Sequence, residues 1–381
     1  MRIRLKPLSE QVVVITGASS GIGLALARLA AAAGARVVLC ARNEPVLRQI
    51  AEEITAQGGQ AHPVCADVGD PEAVALVRRA AVARFGRIDA WVNDAGVGVY
   101  GELLETEPVD HERLFRTNYF GVVNGSLEAV RQMREQAGAG VIVNLGSALS
   151  DAPAPLMGAY SASKHAVKAF TETLRMEVGR ERLPISVTLI KPGSIATPFP
   201  EHARNLMDEA PTVPPPVYAP EVAARAILHA LTHPVRELVV GSGARQLSIA
   251  HGLAPGLAER IFSRALPPLM RRKGAPQGRD ALHRAGLDGH VHGQEGSGRG
   301  FSVYTLSQTH RGIALGLGLL AISAAAVTFA RGPRGAEVLR KSLARPARPL
   351  VLGLARRRPI PVARLAASRP RAALKLARML R

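Results

Sequence analysis

Cysteine is nearly absent from the chain: only Cys40 and Cys65 occur in 381 residues. Their spacing suits neither a metal knuckle nor a disulfide framework, which excludes a stapled scaffold. Both lie in apolar runs and are expected as buried, reduced thiols, compatible with a reducing cytosol. Aromatic residues make up 4%, with one tryptophan and none after Phe329. No platform for stacking bases follows from so few rings, and a nucleic-acid partner is not expected. A long apolar run is missing behind the basic N-terminus MRIRLKPLSE, because Val12 to Ile15 is too short for a signal peptide. The first 250 residues are therefore expected in the cytoplasm. Net charge is also absent there, with 25 Lys/Arg against 25 Asp/Glu, whereas residues 251–381 hold 24 against five. The whole net charge of +19 belongs to the C-terminal part, and a basic partner-seeking surface must be sought there.

What is present from Gln11 to Val240 is regular alternation. Short β-branched runs at 12–16, 36–41, 61–66, 88–92, 140–145, 185–190 and 237–240 are nearly continuously apolar, as strands buried on both faces must be. Amphipathic stretches at 45–57, 71–85, 110–136 and 161–182 separate them. This order predicts an α/β fold, a doubly wound parallel sheet of about seven strands. Residues 1–250 form the expected catalytic domain, 251–311 a helical segment and linker, 312–330 an apolar segment and 331–381 a basic tail.

The first strand runs into Thr16-Gly17-Ala18-Ser19-Ser20-Gly21-Ile22-Gly23, and an apolar helix follows. Glycines let a pyrophosphate approach the main chain there, and the helix start offers free N–H groups and the positive end of its dipole. A second pattern, Tyr160-Ser161-Ala162-Ser163-Lys164, places a phenol and an ammonium one helical turn apart on one face. At roughly 5 Å and an effective dielectric of about 20, that ammonium favours a phenolate by about 3 kcal/mol. Such tuning brings a phenol of pKa about 10 toward general acid/base work.

With these two patterns the chain resembles the short-chain dehydrogenase/reductase family, whose TGxxxGIG signature it matches at every fixed position. The resemblance covers roughly residues 10–241. It implies a Rossmann fold, a nicotinamide dinucleotide cofactor, a small carbonyl or alcohol substrate and a homo-oligomer. It implies Tyr160 as the general acid/base and Ser147, thirteen residues earlier, as the hydroxyl that holds the substrate oxygen. Asn118 matches the asparagine that holds a water on the proton path, and Lys164 the lysine that also binds the nicotinamide ribose. Cofactor contacts are implied for Gly17, Ser19, Ser20, Gly21, Ile22 and Gly23, and for Asp67-Val68 beside the adenine. They are implied also for Asn93, Ala95 and Gly96 beneath the cofactor, and for Pro192, Gly193, Ile195 and Thr197 beside the nicotinamide. Asp94 departs from the usual NNAG form, and an adjusted local hydrogen-bond pattern is expected.

The nucleotide type is read from the end of the second strand. An acid there would bind the ribose 2′-OH of NAD and repel the extra phosphate of NADP. This chain has Ala41 followed by Arg42, whose guanidinium can grip a 2′-phosphate through paired hydrogen bonds. NADP(H) is the expected cofactor, the alternative being that Arg42 is a solvated charge. Residues 97–102, 148–158 and 199–218 hold Val99, Tyr100, Leu149, Pro153, Pro155, Leu156, Met157, Phe199, Leu206 and Met207, with few charges. A mostly apolar ketone, aldehyde or alcohol suits such loops. A non-catalytic cofactor-binding scaffold or redox sensor at a membrane is the alternative function.

Residues 312–330 are 19 positions without a charge, and the 51 that follow carry 15 Lys/Arg and one acid, Glu337. Length permits a transmembrane helix, yet a single span would send the basic tail outward, against the positive-inside rule. A re-entrant or interfacial element, a true span and a packed soluble helix are the three readings. With the basic helices after it, the segment points to an anionic membrane surface as partner. His283, His290 and His292 have no accompanying carboxylate or thiol cluster and read as surface histidines.

Overall fold

The computed structural model describes residues 3–275, 280–286, 288–294, 296–310 and 312, and the described residues fall within one compact unit. Its centre is a parallel sheet of β1 (Val12–Thr16), β2 (Arg36–Ala41), β3 (Gln60–Cys65), β4 (Ala90–Asn93), β5 (Gly140–Leu145), β6 (Ile185–Pro192) and β7 (Glu237–Val240). The strand order is β3-β2-β1-β4-β5-β6-β7, so the direction of winding reverses between β1 and β4. That is the switch point outside whose carboxyl ends open α/β sheets bind ligands. The expected seven-stranded, doubly wound parallel sheet is thus the observed one.

Alternation along the strands divides the core. Val13, Ile15, Val37, Leu39, Val92 and Val143 face α1 (Gly21–Ala32), α2 (Glu44–Ala56) and the helix Pro220–Thr232. Val12, Val14, Val38, Trp91 and Ile142 face α3 (Pro71–Phe85) and residues of two later helices, among them Ala129, Met133, Leu174 and Val178. Leu26 of α1 has no exposed surface and joins the first cluster. Leu26→Ala should therefore cost about 2–5 kcal/mol, read as a lower denaturation midpoint in urea. A midpoint equal to the parent's would mean that the site collapses around the smaller side chain.

Two expectations change at the sheet's edge and in the long middle helix. β3 is an edge strand whose residues are only partly buried, and Cys65 at its end is exposed rather than buried. Cys40, in β2 with neighbours on both sides, is buried, and burial pushes its thiol up to about 12. The stretch expected as one helix over 110–136 is α4 (Pro108–Phe115), a π-turn (Arg116–Phe120) and α5 (Gly121–Glu135). The π-turn carries Thr117 and Asn118, and such turns often re-aim side chains at functional sites.

After α6 (Gly158–Arg180) come a short α7 (Phe199–His202), α8 (Pro220–Thr232), α9 (Ser242–Leu253), α10 (Pro255–Leu269) and α11 (Val303–Thr309). The linker expected within 251–311 is not a free connection: its described part returns to the body that holds the sheet. Gln308 of α11 accepts from the Val239 N–H at 3.0 Å and donates to its carbonyl at 2.8 Å. A side-chain amide thereby covers groups that the sheet's edge strand β7 would leave open. Arg299 accepts from the Ala219 N–H and donates its own to the Val217 carbonyl, both at 2.9 Å. Among the described residues no helix is long and apolar enough to cross a membrane. Residues 313–330 and the basic tail lie outside the described residues.

Candidate active site

The carboxyl ends of β1, β4, β5 and β6 open into one cavity of about 540 Å³. The glycine turn after β1 forms one wall. Gly17 has φ +72°, and a Cβ there would sit 2.8 Å from the Ala95 nitrogen, so both the angle and the contact demand glycine. Ser20 precedes α1 without capping it through its side chain; of the first helix amides, that of Gly21 donates to the His290 carbonyl at 3.0 Å and that of Gly23 faces Asp94. Ser19, Ser20, Gly21, Ile22, Arg42, Asp67, Val68, Ala95 and Gly96 line the cavity, as do Pro192, Gly193, Ile195 and Thr197. Thr117 lines it too, and its buried hydroxyl has no hydrogen-bond partner. A glycine cradle at a helix start and an orphaned hydroxyl along one cleft suit a dinucleotide. The residues present fit that cofactor.

Three residues implied by the resemblance stand elsewhere. Asn93 does not line the cavity. It accepts from Trp91 Nε1 at 2.9 Å and donates to Ser126 Oγ and Asn144 Oδ1, which braces β4 against α5 and β5. Gly23 sits behind the turn, where a Cβ would collide with the Gly17 carbonyl. The Asn118 amide is held on both sides by the Val97 backbone, at 2.8 and 2.9 Å, and also reaches Ser163 Oγ. Its side chain is a brace for the 95–97 loop. Asp67 is partly engaged as well, accepting from Arg113 at 2.6 Å and from the Gly69 N–H. Burial would raise its carboxyl, but those hydrogen bonds win and hold it below the ordinary range.

Tyr160, Lys164 and Ser147 converge at the cavity floor. Tyr160 and Lys164 lie on α6, with Lys164 Nζ 5.6 Å from the phenol ring centroid and donating to the Leu145 carbonyl at 2.7 Å. Ser147 follows β5 and lines the cavity with Tyr160; its Oγ accepts from the Leu149 N–H at 3.1 Å. Phe199 holds the other side of the ring, edge to face at 5.3 Å. The spacing of Tyr160 and Lys164 predicts a phenol tuned downward, and the structure reverses that. Burial pushes Tyr160 up to about 12, opposed by the Ser147 hydrogen bond and reinforced by Asp94. Burial also brings Lys164 down to about 8, with Asp94 opposing. Desolvation penalises both charged forms, which favours the protonated phenol at neutral pH.

Asp94 is the participant that sequence reasoning undervalued. It is half-buried and lines the cavity; desolvation pushes its carboxyl up to about 7, against the pull of Lys164 and of the Gly23 amide. The signal in sequence was the acid replacing the amide of the usual NNAG. Because Asp94 raises both Tyr160 and Lys164, Asp94→Asn should let both deprotonate at lower pH. The alkaline limb of the kcat/KM profile should then move toward lower pH. A limb that stays in place would make Asp94 electrostatically silent in catalysis.

The substrate end is lined by Tyr100, Leu149, Met157 and Phe199, as the loop composition implies. Leu156 and Met207 pack in an apolar cluster with Tyr100 and Met157, and Val99 and Leu206 in a second one with Val97. Leu247, Phe262, Leu266 and Met270 of the α9–α10 region complete the lining, which sequence reading did not assign.

Comparison with known proteins agrees with this architecture. The family model described as short chain dehydrogenase matches residues 11–207. The chain is 39% identical over 308 residues to an uncharacterized oxidoreductase, YxnA, of Bacillus subtilis, covering 80% of this chain and 86% of that one. It is 36% identical to the dehydrogenase/reductase SDR family member 7B of Bos taurus, covering 66% of this chain and 80% of that one. Among solved structures, a short-chain dehydrogenase/reductase from Burkholderia phymatum in complex with NAD has a TM-score of 0.61 at 27% identity, covering 66% of this chain and 96% of that one. An alcohol dehydrogenase from Thermococcus sibiricus complexed with 5-hydroxy-NADP has a TM-score of 0.53 at 28% identity, covering 60% and 95%. A metagenomic short-chain oxidoreductase in complex with NADP has a TM-score of 0.52 at 29% identity, covering 62% and 98%. On its motifs, its sheet and these relatives, the chain belongs to the short-chain dehydrogenase/reductase family of oxidoreductases.

Proposed function

We propose that the protein reduces the carbonyl of a mostly apolar ketone or aldehyde with NADPH, or runs the reverse oxidation, and that Tyr160 is its general acid/base. The observation that carries this reading is the convergence of Ser147, Tyr160 and Lys164 at the floor of a cavity walled by the glycine turn. A bound NADPH would supply the hydride. Ser147 holds the carbonyl oxygen, and Tyr160 gives its phenolic proton to that oxygen as negative charge develops. Lys164, beside Tyr160 and anchored on the Leu145 carbonyl, offsets the phenolate charge left behind. Aliphatic and aromatic walls exclude water and leave the substrate's orientation to these hydroxyls.

The preference for the phosphorylated nucleotide is supported by Ala41 and Arg42 on the cavity wall. The solved relatives divide between NAD and NADP forms, so they support the dinucleotide class alone. The test is NADPH oxidation by the full-length chain across a panel of apolar and small polar carbonyls. Turnover confined to apolar members is the expected result. Tight NADPH binding without turnover on any member would favour the scaffold reading instead.

A further inference from the structure

The segment that resembled a linker lies across the cofactor cleft. Gly289 N–H donates to the Ser19 carbonyl at 2.8 Å, and Gly21 N–H donates to the His290 carbonyl at 3.0 Å. Gly293 N–H donates to the Ala196 carbonyl at 3.2 Å. These bonds join the glycine turn after β1 to the loop after β6, the two lips of the cleft. At its start the same segment is anchored by burial. Leu282 has no exposed surface and packs with Val97, Val99, Leu114 and Ala159. Its carbonyl accepts from Arg113 Nε at 2.9 Å, and the Ala281 carbonyl accepts from Arg42 Nη2 at 2.5 Å. Ala281 N–H closes the anchor on the His202 carbonyl at 2.7 Å.

The segment does not fill the cleft. Ala281, Ala285, Gly286 and Asp288 line the same cavity as Gly17, Arg42 and Tyr160, so open space continues beneath them. We propose that residues 280–286 and 288–294 are the outer wall of the cofactor site, a strap that must lift for the nucleotide to enter and leave. The strap's opening then sets the rate of cofactor exchange. This inference rests on reading the cleft as a dinucleotide site. Its physical basis is ordinary local opening: a few backbone bonds, side-chain contacts from Arg42, Arg113 and Asn43, the His292–Glu221 contact and one buried leucine hold the strap, less than holds the sheet.

Gly293 supplies the lever. A Cβ there would sit 2.4 Å from the Thr197 carbonyl oxygen and 2.7 Å from Glu201 Oε1, so Gly293→Val cannot keep the strap seated. Stopped-flow displacement of NADPH from the full-length variant should show dissociation at least about tenfold faster than from the parent, with weaker binding to match. An unchanged rate would reduce the strap to a surface segment. Tighter binding in the variant would make it a competitor of the nucleotide, which also overturns the proposal. On the unaltered chain, deuterium exchange at Gly289 and Gly293 should slow when NADPH saturates the site; faster exchange would mean that the nucleotide displaces the strap. If the unaltered chain binds neither NADPH nor NADH, the dinucleotide reading itself falls, and the strap's role with it.

Discussion

Tyr160→Phe is expected to lower turnover by at least about a hundredfold, the scale of one general acid/base, while NADPH affinity and the unfolding transition stay near the parent's. The substitution keeps the ring, and with it the edge-to-face contact with Phe199 at 5.3 Å. It removes one hydroxyl, on the cavity wall that Ser147 shares, where the proposed mechanism puts the carbonyl oxygen. Burial has placed that phenol near 12, so the parent enters reduction with the proton already on the donor. The alkaline fall in rate should accordingly reflect Lys164, near 8, before it reflects Tyr160. Steady-state turnover on any carbonyl found active, with a separate NADPH titration, checks both halves. Turnover close to the parent's would remove Tyr160 from proton transfer and leave the cavity to some other donor.

The sheet was legible because seven runs of apolar residues carry their own periodicity, and β1, β2, β5 and β7 begin and end where the runs do. The glycine turn and the Tyr160–Lys164 pair were legible because each needs fixed residue types at fixed spacing. Direction was not. The sequence places Asn93 and Asn118 at the right positions, but their amides point into bracing networks, with Ser126 and Asn144 for one and the Val97 backbone for the other. Desolvation was not legible either: spacing brings an ammonium beside a phenol, and only the walls around them raise the one and lower the other. Cys65 misled for a related reason, since an apolar run does not reveal which strand ends at the sheet's edge. The strap was hidden most completely. Its hold on the body comes from the backbone of Ala281, Gly289, His290 and Gly293, from carbonyls that Arg42 and Arg113 reach, and from one leucine, and such bonds leave no periodic trace in a Gly- and His-rich stretch.

Arg42→Ala is expected to weaken NADPH binding about tenfold to a hundredfold and to leave NADH nearly unchanged, because a charge-assisted pair is worth about 1.5–3 kcal/mol. The structure gives this guanidinium a more contested setting than the sequence does. It donates to the Ala281 and Leu282 carbonyls of the strap, burial lowers its pKa, and Asp67 and Asp288 draw it back up. Two neutral carbonyls are weaker partners than a 2′-phosphate, which carries full charge and takes the same donors in parallel. The phosphate must, however, meet the carboxylates that already face Arg42. Titrating both nucleotides against parent and variant resolves the competition. A selective loss for NADPH would assign Arg42 to the phosphate, with the carbonyls as placeholders. Equal losses for NADPH and NADH would assign it to the strap, as an anchor that serves either cofactor by keeping the wall closed. Affinities unchanged for both would leave Arg42 to Asp67 and Asp288, and would remove the ground for preferring NADP(H).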